Sequence, residues 1–221
     1  PRFYDIQSGT IRLDGRNIVH IPKQELRARI GFVPQKAFLF SGTISSNIAY
    51  GAEGADDERI RRAADIAQAS EFIGEKPEGF EGPIAQGGTN VSGGQRQRLA
   101  IARALATDAR VFLFDDSFSA LDYKTDARLR EALAQNEKDA ALVVVAQRIA
   151  TIMRADQIVV LDEGRVVLDD ISIDFRFNPE RGASDIYVNG DRAEGRIRTI
   201  EVSNCVSRVS SIRQVREKLV A

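Results

Sequence analysis

The chain of 221 residues holds a single cysteine, Cys205, a single histidine, His20, a single methionine, Met153, and no tryptophan. One cysteine excludes an internal disulfide framework and suits a reducing compartment. One histidine cannot build a multi-histidine metal site, and His20 reads as a solvated surface residue. An excess of either charge is also missing. The 31 basic and 32 acidic residues leave a net charge of -1, which argues against a dedicated nucleic-acid binder. No apolar run approaches the roughly 20 residues needed to span a bilayer. The longest, AALVVVA at 140–146, suits a buried strand. No signal-peptide pattern opens the chain. It begins at Pro1 and carries methionine only at Met153, which reads as a piece cut from something longer.

What is present is an ordinary globular composition, 43% hydrophobic, enough for one large domain with or without an appendage. Thr10, Ile11, Arg12 and Leu13 alternate into the turn pair Asp14-Gly15, which predicts a hairpin. IGFVP at 30–34 reads as a short buried strand ending at Gln35. Residues 56–73 read as one helix with Ile60, Ala63, Ala64 and Ala67 on a face, and 74–88 as loop. Another helix follows SGGQ. VFLF at 111–114 and ALVVVA at 141–146 flank a helical segment carrying Leu129, Ala132 and Leu133. Short continuous apolar strands alternating with helices predict an α/β fold, a parallel sheet covered on both faces. Residues 158–161 and 165–168 flank Asp162-Glu163-Gly164 and predict a closing hairpin. From 169 onward the character changes. ISIDFRF and RIRTIEV have strand patterning, and 204–220 spaces Val206, Val209, Ile212, Val215 and Leu219 along one helix face. This segment reads either as a small α+β appendage or as a poorly ordered tail; nothing in it suggests chemistry, and it is left unassigned.

Two stretches do carry chemistry. NVSGGQRQRLAIARAL at 90–105 runs a Ser-Gly-Gly turn into an apolar helical stripe of Leu99, Ala102 and Leu105. A helix N-terminus opened by glycines receives phosphate through its backbone N–H groups, though Ser92 also suits an ordinary N-cap. VFLFDD delivers Asp115 and Asp116 at the C-terminal end of a strand, where ligands bind in open α/β sheets. Alone, the pair reads more readily as a strand running into an Asp-capped helix. Gln35 ends an earlier strand, and VVVAQR ends another in Gln147, so both amides face the same sheet edge.

In this order and spacing, residues 1–168 resemble the nucleotide-binding domain of an ATP-binding cassette (ABC) transporter of the exporter type. IGFVPQKAFLFSGTISSNIAYG resembles the Q-loop and the surface beyond it, GGTNVSGGQRQRLAIARAL the signature motif, VFLFDDSFSALD the Walker B strand and D-loop, VVVAQRIATI the switch strand, and VLDEGRVV the closing hairpin. The resemblance implies a P-loop NTPase-like (RecA-like) core with an inserted helical subdomain, about 36–95, and ATP with Mg2+ as cofactors. It implies that Asp116 and Gln147 occupy the catalytic positions. Asp115 and Gln35 would hold metal, and Gln35, Ser92, Gly93, Gly94, Gln95 and Asp122 would bind nucleotide. It further implies a second nucleotide-binding domain that shares two ATPs head to tail, and a membrane domain contacted around the segment Phe38–Tyr50. The location would be the cytoplasmic face of the cell membrane.

The sequence also departs from the family. GxxxxGK[ST], the loop that cradles phosphates, occurs nowhere in it. In relatives that loop lies just before the segment matching PRFYD, so the domain reads as incomplete at its front. The family usually has glutamate where Asp116 stands and histidine where Gln147 stands. Aspartate is one methylene shorter, and a positioned group displaced by about 1 Å loses on the order of 100-fold in rate. Glutamine cannot take a proton at neutral pH. Gln86 stands where relatives often have glutamate. These changes resemble the impaired-site half of a heterodimeric exporter, whose signature completes the partner's site. The alternative is a non-hydrolysing remnant acting only as an interaction module. A soluble ABC ATPase of DNA repair or translation fits the exporter-like FLFSGTISSNIAYG less well.

Overall fold

The structure, a computed structural model, describes residues 1–52, 54–152, 155–162 and 165–166, and the backbone of strands within 173–192. The chain divides into two units, Pro1–Thr151 and Ile152–Ala221. Residues 152–168, grouped with the first domain in the sequence reading, fall in the second unit.

The first unit opens with the expected hairpin. Strands β1 (Arg12–Leu13) and β2 (Arg16–Asn17) pair antiparallel. Asp14 (φ 49°) and Gly15 (φ 75°) form the turn between them, with the two positive φ values that match the twist of a hairpin. A short helix α1 (Lys23–Ala28) follows. Its Leu26 is buried with Ile18 and Ile21 in a small apolar cluster of its own. Strand β3 (Ile30–Val33) then enters the central sheet.

Between β3 and the next central strand lies a helical insertion. Strand β4 (Gly42–Thr43) leads into α2 (Ile44–Ala49), which starts on a capping box between Thr43 and Ser46. Helix α3 (Asp57–Ile66) starts on Asp56, whose carboxylate accepts the Arg59 amide at 2.9 Å. The single helix expected over 56–73 is instead two. Gln68 takes a left-handed conformation (φ 58°), and the Ala69 N–H reaches back to the Ala64 carbonyl at 2.8 Å. That is the helix-ending pattern glycine usually provides, here accepted by a glutamine. Its amide also folds onto the Asp65 carbonyl. Helix α4 (Ser70–Gly74) restarts beyond the break. The expected loop at 74–88 contains β5 (Pro83–Ile84), paired antiparallel with β4.

Helix α5 (Gly93–Leu105) is the helix expected after SGGQ. Its stripe is buried as expected, with Leu99, Ile101 and Ala102 inaccessible. It packs against α2, α3 and β3. Strand β6 (Val111–Asp115), helix α6 (Tyr123–Asn136), strand β7 (Ala141–Val145) and the short helix α7 (Ile149–Ile152) follow. The central sheet is all-parallel in the order β3-β6-β7, with Val33, Phe114 and Val144 in register. The architecture is the expected α/β type. Cover on the two faces is unequal. Val33, Phe112 and Phe114 are buried beside α5 in the main core. On the opposite face Phe32 stays 37% exposed, with the Phe3 ring edge-on against it at 5.4 Å.

In the second unit, β8 (Leu161–Asp162) and β9 (Arg165–Val166) form the closing hairpin; its first strand begins at Leu161 rather than 158, and 167–168 lie outside the described residues. Strands β10 (Ile173–Asn178), β11 (Ala183–Val188) and β12 (Asp191–Arg192) form an antiparallel meander in that order. The strand expected in ISIDFRF is therefore present. RIRTIEV, the helix expected over 204–220 and Cys205 lie outside the described residues.

Gly31 shows how closely α5 meets the sheet. A Cβ there would collide with the Phe112 ring and lie 3.3 Å from the Ala104 carbonyl oxygen of α5. Gly31→Ala is expected to lower stability by about 1–3 kcal/mol through overpacking. Urea denaturation measures it, and a neutral result would show that helix and sheet are less tightly fitted.

Candidate functional site

The C-terminal ends of the three parallel strands converge on one carboxylate. Asp116 follows β6 in a left-handed backbone conformation (φ 47°), a region that Asp tolerates better than most side chains. Its amide donates to the Val145 carbonyl at 3.0 Å, so it stays tied to β7 while its side chain turns inward. The Gln35 Nε2, just beyond β3, donates to Asp116 Oδ2 at 2.9 Å. The Gln147 Nε2, just beyond β7, donates to the same oxygen at 3.3 Å. Three of the residues singled out from the sequence thus meet at one atom. Asp115, the last residue of β6, stands beside them. Behind them the buried Ser117 hydroxyl donates to the Val33 carbonyl at 2.9 Å, locking the turn after β6 to β3.

The second group sits at the start of α5. The Ser92 Oγ accepts the Gln95 amide at 3.2 Å, and the Gln95 Oε1 accepts the Ser92 amide at 3.0 Å, a reciprocal capping box. The N-cap role of Ser92 is therefore real. It consumes one first-turn amide and leaves those of Gly93 and Gly94 facing outward, as helix geometry requires. A Cβ on Gly93 would meet nothing within 4 Å, so the approach to this turn is open. A Cβ on Gly94 would lie 3.4 Å from the Ala120 carbonyl oxygen, which places the loop after β6 against the helix start. Among the described residues, no hydrogen bond joins this group to Gln35, Asp116 or Gln147.

Asp122 has a structural task. Its Oδ1 accepts the Lys124 and Thr125 amides at 3.1 and 3.0 Å, and its Oδ2 accepts the Thr125 hydroxyl at 2.7 Å, capping α6. The Thr125 amide and hydroxyl, with the Lys124 amide, hold its carboxyl below the usual carboxylate range.

Other participants were not legible beforehand. Buried Gln97 of α5 donates to the Pro34 carbonyl at 3.3 Å, fixing the chain just before Gln35. Buried Asn47 accepts the Phe40 amide and donates to the Phe40 and Thr43 carbonyls, all at 2.9–3.0 Å. Arg103, near the far end of α5, reaches the Asn47 carbonyl and side chain at 2.8 and 2.7 Å and the Phe38 carbonyl at 2.9 Å. Burial lowers the pKa of its guanidinium, which stays charged at neutral pH. The Arg103 cation lies over the rings of Phe40 and Tyr50. Phe38, Phe40 and Tyr50 stay 47%, 36% and 58% exposed, so the clamp holds an aromatic patch open to solvent. The only sequence sign was a charged residue set within the apolar IARAL.

No group of three or more His, Cys, Asp or Glu side chains among the described residues could hold a metal ion by itself. Asp115 and Gln35 offer oxygen donors, which suits a cation that completes its shell with phosphate and water, as Mg2+ does.

A parallel sheet packed on helices, with acid and amide side chains at its C-terminal edge, is an α/β core of the P-loop NTPase-like kind. The chain belongs to the ABC transporter family, whose model matches residues 2–119, more than half of it. It is 47% identical over 168 residues to the ATP-dependent lipid A-core flippase of Alkalilimnicola ehrlichii, matching 76% of this chain and 28% of the flippase. It is 43% identical over 166 residues to ABC transporter B family member 21 of Arabidopsis thaliana, matching 75% of this chain and 13% of that protein. A bacterial Atm1-family ABC exporter, solved with ATP bound, superposes with a TM-score of 0.72 at 39% identity, over 75% of this chain and 29% of that one. The chain thus spans less than a third of these relatives and corresponds to part of their ATP-binding domain. Among the described residues no helix is long and apolar enough to cross a membrane.

The Asp122 cap sets a pH dependence. A carboxyl that binds protons more weakly when folded stabilises the fold above its ordinary value, and that contribution is lost as pH falls through the depressed one. Asp122→Asn keeps a capping side chain without the charge. The wild type is expected to lose more stability than Asp122→Asn as pH falls from about 5 to about 2. Urea titrations of both at each pH check this, and parallel curves would remove the charge from the cap.

Proposed function

We propose that this chain is part of an ABC exporter subunit. In this reading the subunit shares two ATPs with a second, different nucleotide-binding domain and uses their closure to drive export across a membrane. The observation that carries the reading is the Asp116 carboxylate held between Gln35 and Gln147 at 2.9 and 3.3 Å. Asp116 would position the attacking water. Asp115 and Gln35 would contribute to the Mg2+ shell, the remainder coming from phosphates and water. Bound ATP supplies the phosphoryl group and the ion neutralises its charge. Gln147 would hydrogen-bond the γ-phosphate but has no proton to exchange at neutral pH. With a short acid and a neutral switch residue, this edge holds nucleotide and turns it over slowly.

The other edge is better equipped. Gly93 faces open space, Ser92 retains its hydroxyl proton, and the first-turn amides sit at the positive end of the helix. Ser92, Gly93, Gly94 and Gln95 would therefore receive the γ-phosphate of ATP bound to the partner, with Asp122 setting the neighbouring loop through its cap. The phosphate-cradling loop for the chain's own edge would come from outside these 221 residues. The exposed aromatics around Phe38 and Tyr50, held by Arg103 and Asn47, would receive the membrane domain at the cytoplasmic face.

In a complete subunit, Asp116→Glu combined with Gln147→His is expected to raise ATP turnover at this edge by about 10- to 100-fold. Single-turnover assays with the partner's catalytic acid removed isolate this edge. Unchanged turnover with ATP still bound would overturn the assignment of these two residues.

A further inference from the structure

The residue after Gln147 does something the family motifs do not explain. The Arg148 guanidinium forks onto two carbonyls of the loop after β6, donating to Ser119 at 3.0 Å and Leu121 at 3.3 Å. Its cation lies over the Tyr123 ring, 5.1 Å from the centroid. Tyr123 itself is 74% exposed, so it backs the arginine rather than the core. Ser119 in turn donates its hydroxyl to the Asp116 carbonyl at 2.7 Å, and Gln147 donates to the Asp116 side chain. The contacts therefore close a ring: Asp116 to Ser119, Ser119 to Arg148, Arg148 through the chain to Gln147, and Gln147 back to Asp116. A cavity of about 10 Å³ lies beside this ring, bordered by Asp116, Ser119, Val145 and Arg148, with room for one water at most.

We infer that Arg148 is a positioning residue that makes the loop 117–121 and the switch residue Gln147 move as one body. The loop also touches the signature turn, since the Ala120 carbonyl lies against Gly94. A displacement of Gln147 at the chain's own edge is thereby passed, through Arg148 and the loop, to the turn that would face the partner's phosphate. A planar fork is needed, because one cation must hold two carbonyls two residues apart. Lysine, a point charge on a flexible stem, cannot hold both in one geometry. The inference rests on the shared-ATP reading for its functional half and on this geometry alone for its structural half.

The test uses the complete subunit assembled with its partner. In Arg148→Ala, amide hydrogen exchange is expected to rise about tenfold in both 117–122 and 145–148, with α5 and β6 unchanged. Turnover at the partner's site, which this signature serves, is expected to fall about tenfold with KM within twofold, and added guanidinium ion should restore part of it. Arg148→Lys should fall between wild type and alanine. Tyr123→Leu, which leaves the fork in place, should give a smaller effect in the same direction. Unchanged exchange in 117–122 would overturn the latch whatever turnover does. Faster exchange with undiminished turnover, or no rescue by guanidinium, would overturn its coupling role. Loss of turnover in the wild-type assembly itself would instead count against the shared-ATP reading and is read separately.

Discussion

The structure turns on one backbone departure, the left-handed Asp116 at the end of β6. Extended backbone would carry the next side chain onward past the sheet. The positive φ instead keeps the amide on β7 and swings the carboxylate to where side chains from β3 and β7 both reach it. Such a conformation is strained for a residue with a Cβ and persists only where its surroundings over-determine it. Here they do. The Ser117 hydroxyl on Val33, the Ser119 hydroxyl on the Asp116 carbonyl and the two glutamine amides all fix the same turn. Substituting glutamate would lengthen the side chain within this cage, and substituting histidine at 147 would replace one of its donors.

Helix α5 organises what lies around that turn. Its apolar stripe is the centre of the main core. Several polar residues on it or capping it fix separate features around it. Ser92 and Gln95 build the open turn at one end, Gln97 holds Pro34 just before Gln35, and Arg103 clamps the aromatic patch at the other. The helix rises about 1.5 Å per residue, so a rigid rod of this length joins the turn proposed to face phosphate to the patch proposed to meet the membrane domain. Close contact of α5 with β3 at Gly31 carries the same rod onto the sheet.

Local patterns exposed much of this in the sequence. Asp14-Gly15 marked a hairpin, continuous apolar runs marked β3, β6 and β7, and the stripe after SGGQ marked α5. The break at Gln68 was hidden because a glutamine, not a glycine, takes the left-handed position. The partial exposure of Phe32 was hidden because it reads as apolar whether or not a partner lies over it. Within the site, Gln35, Asp116 and Gln147 were legible as residues at strand ends. The Asn47–Arg103 clamp and the Arg148 fork were not. Each joins residues far apart in the chain through backbone carbonyls, which leave no mark on composition or period.

The central proposal is an asymmetry: the turn at Ser92–Gln95 would serve an efficient site on a partner, and the chain's own strand-end edge would form an inefficient one. It is tested most directly by comparing ATP turnover of the assembled protein after Gly93→Asp and after Asp116→Asn. Open space in front of Gly93 lets the aspartate fit without disturbing α5, and its charge would repel an incoming phosphate. The account predicts that Gly93→Asp removes most of the turnover while Asp116→Asn leaves most of it. Equal losses, or the reverse order, would contradict it.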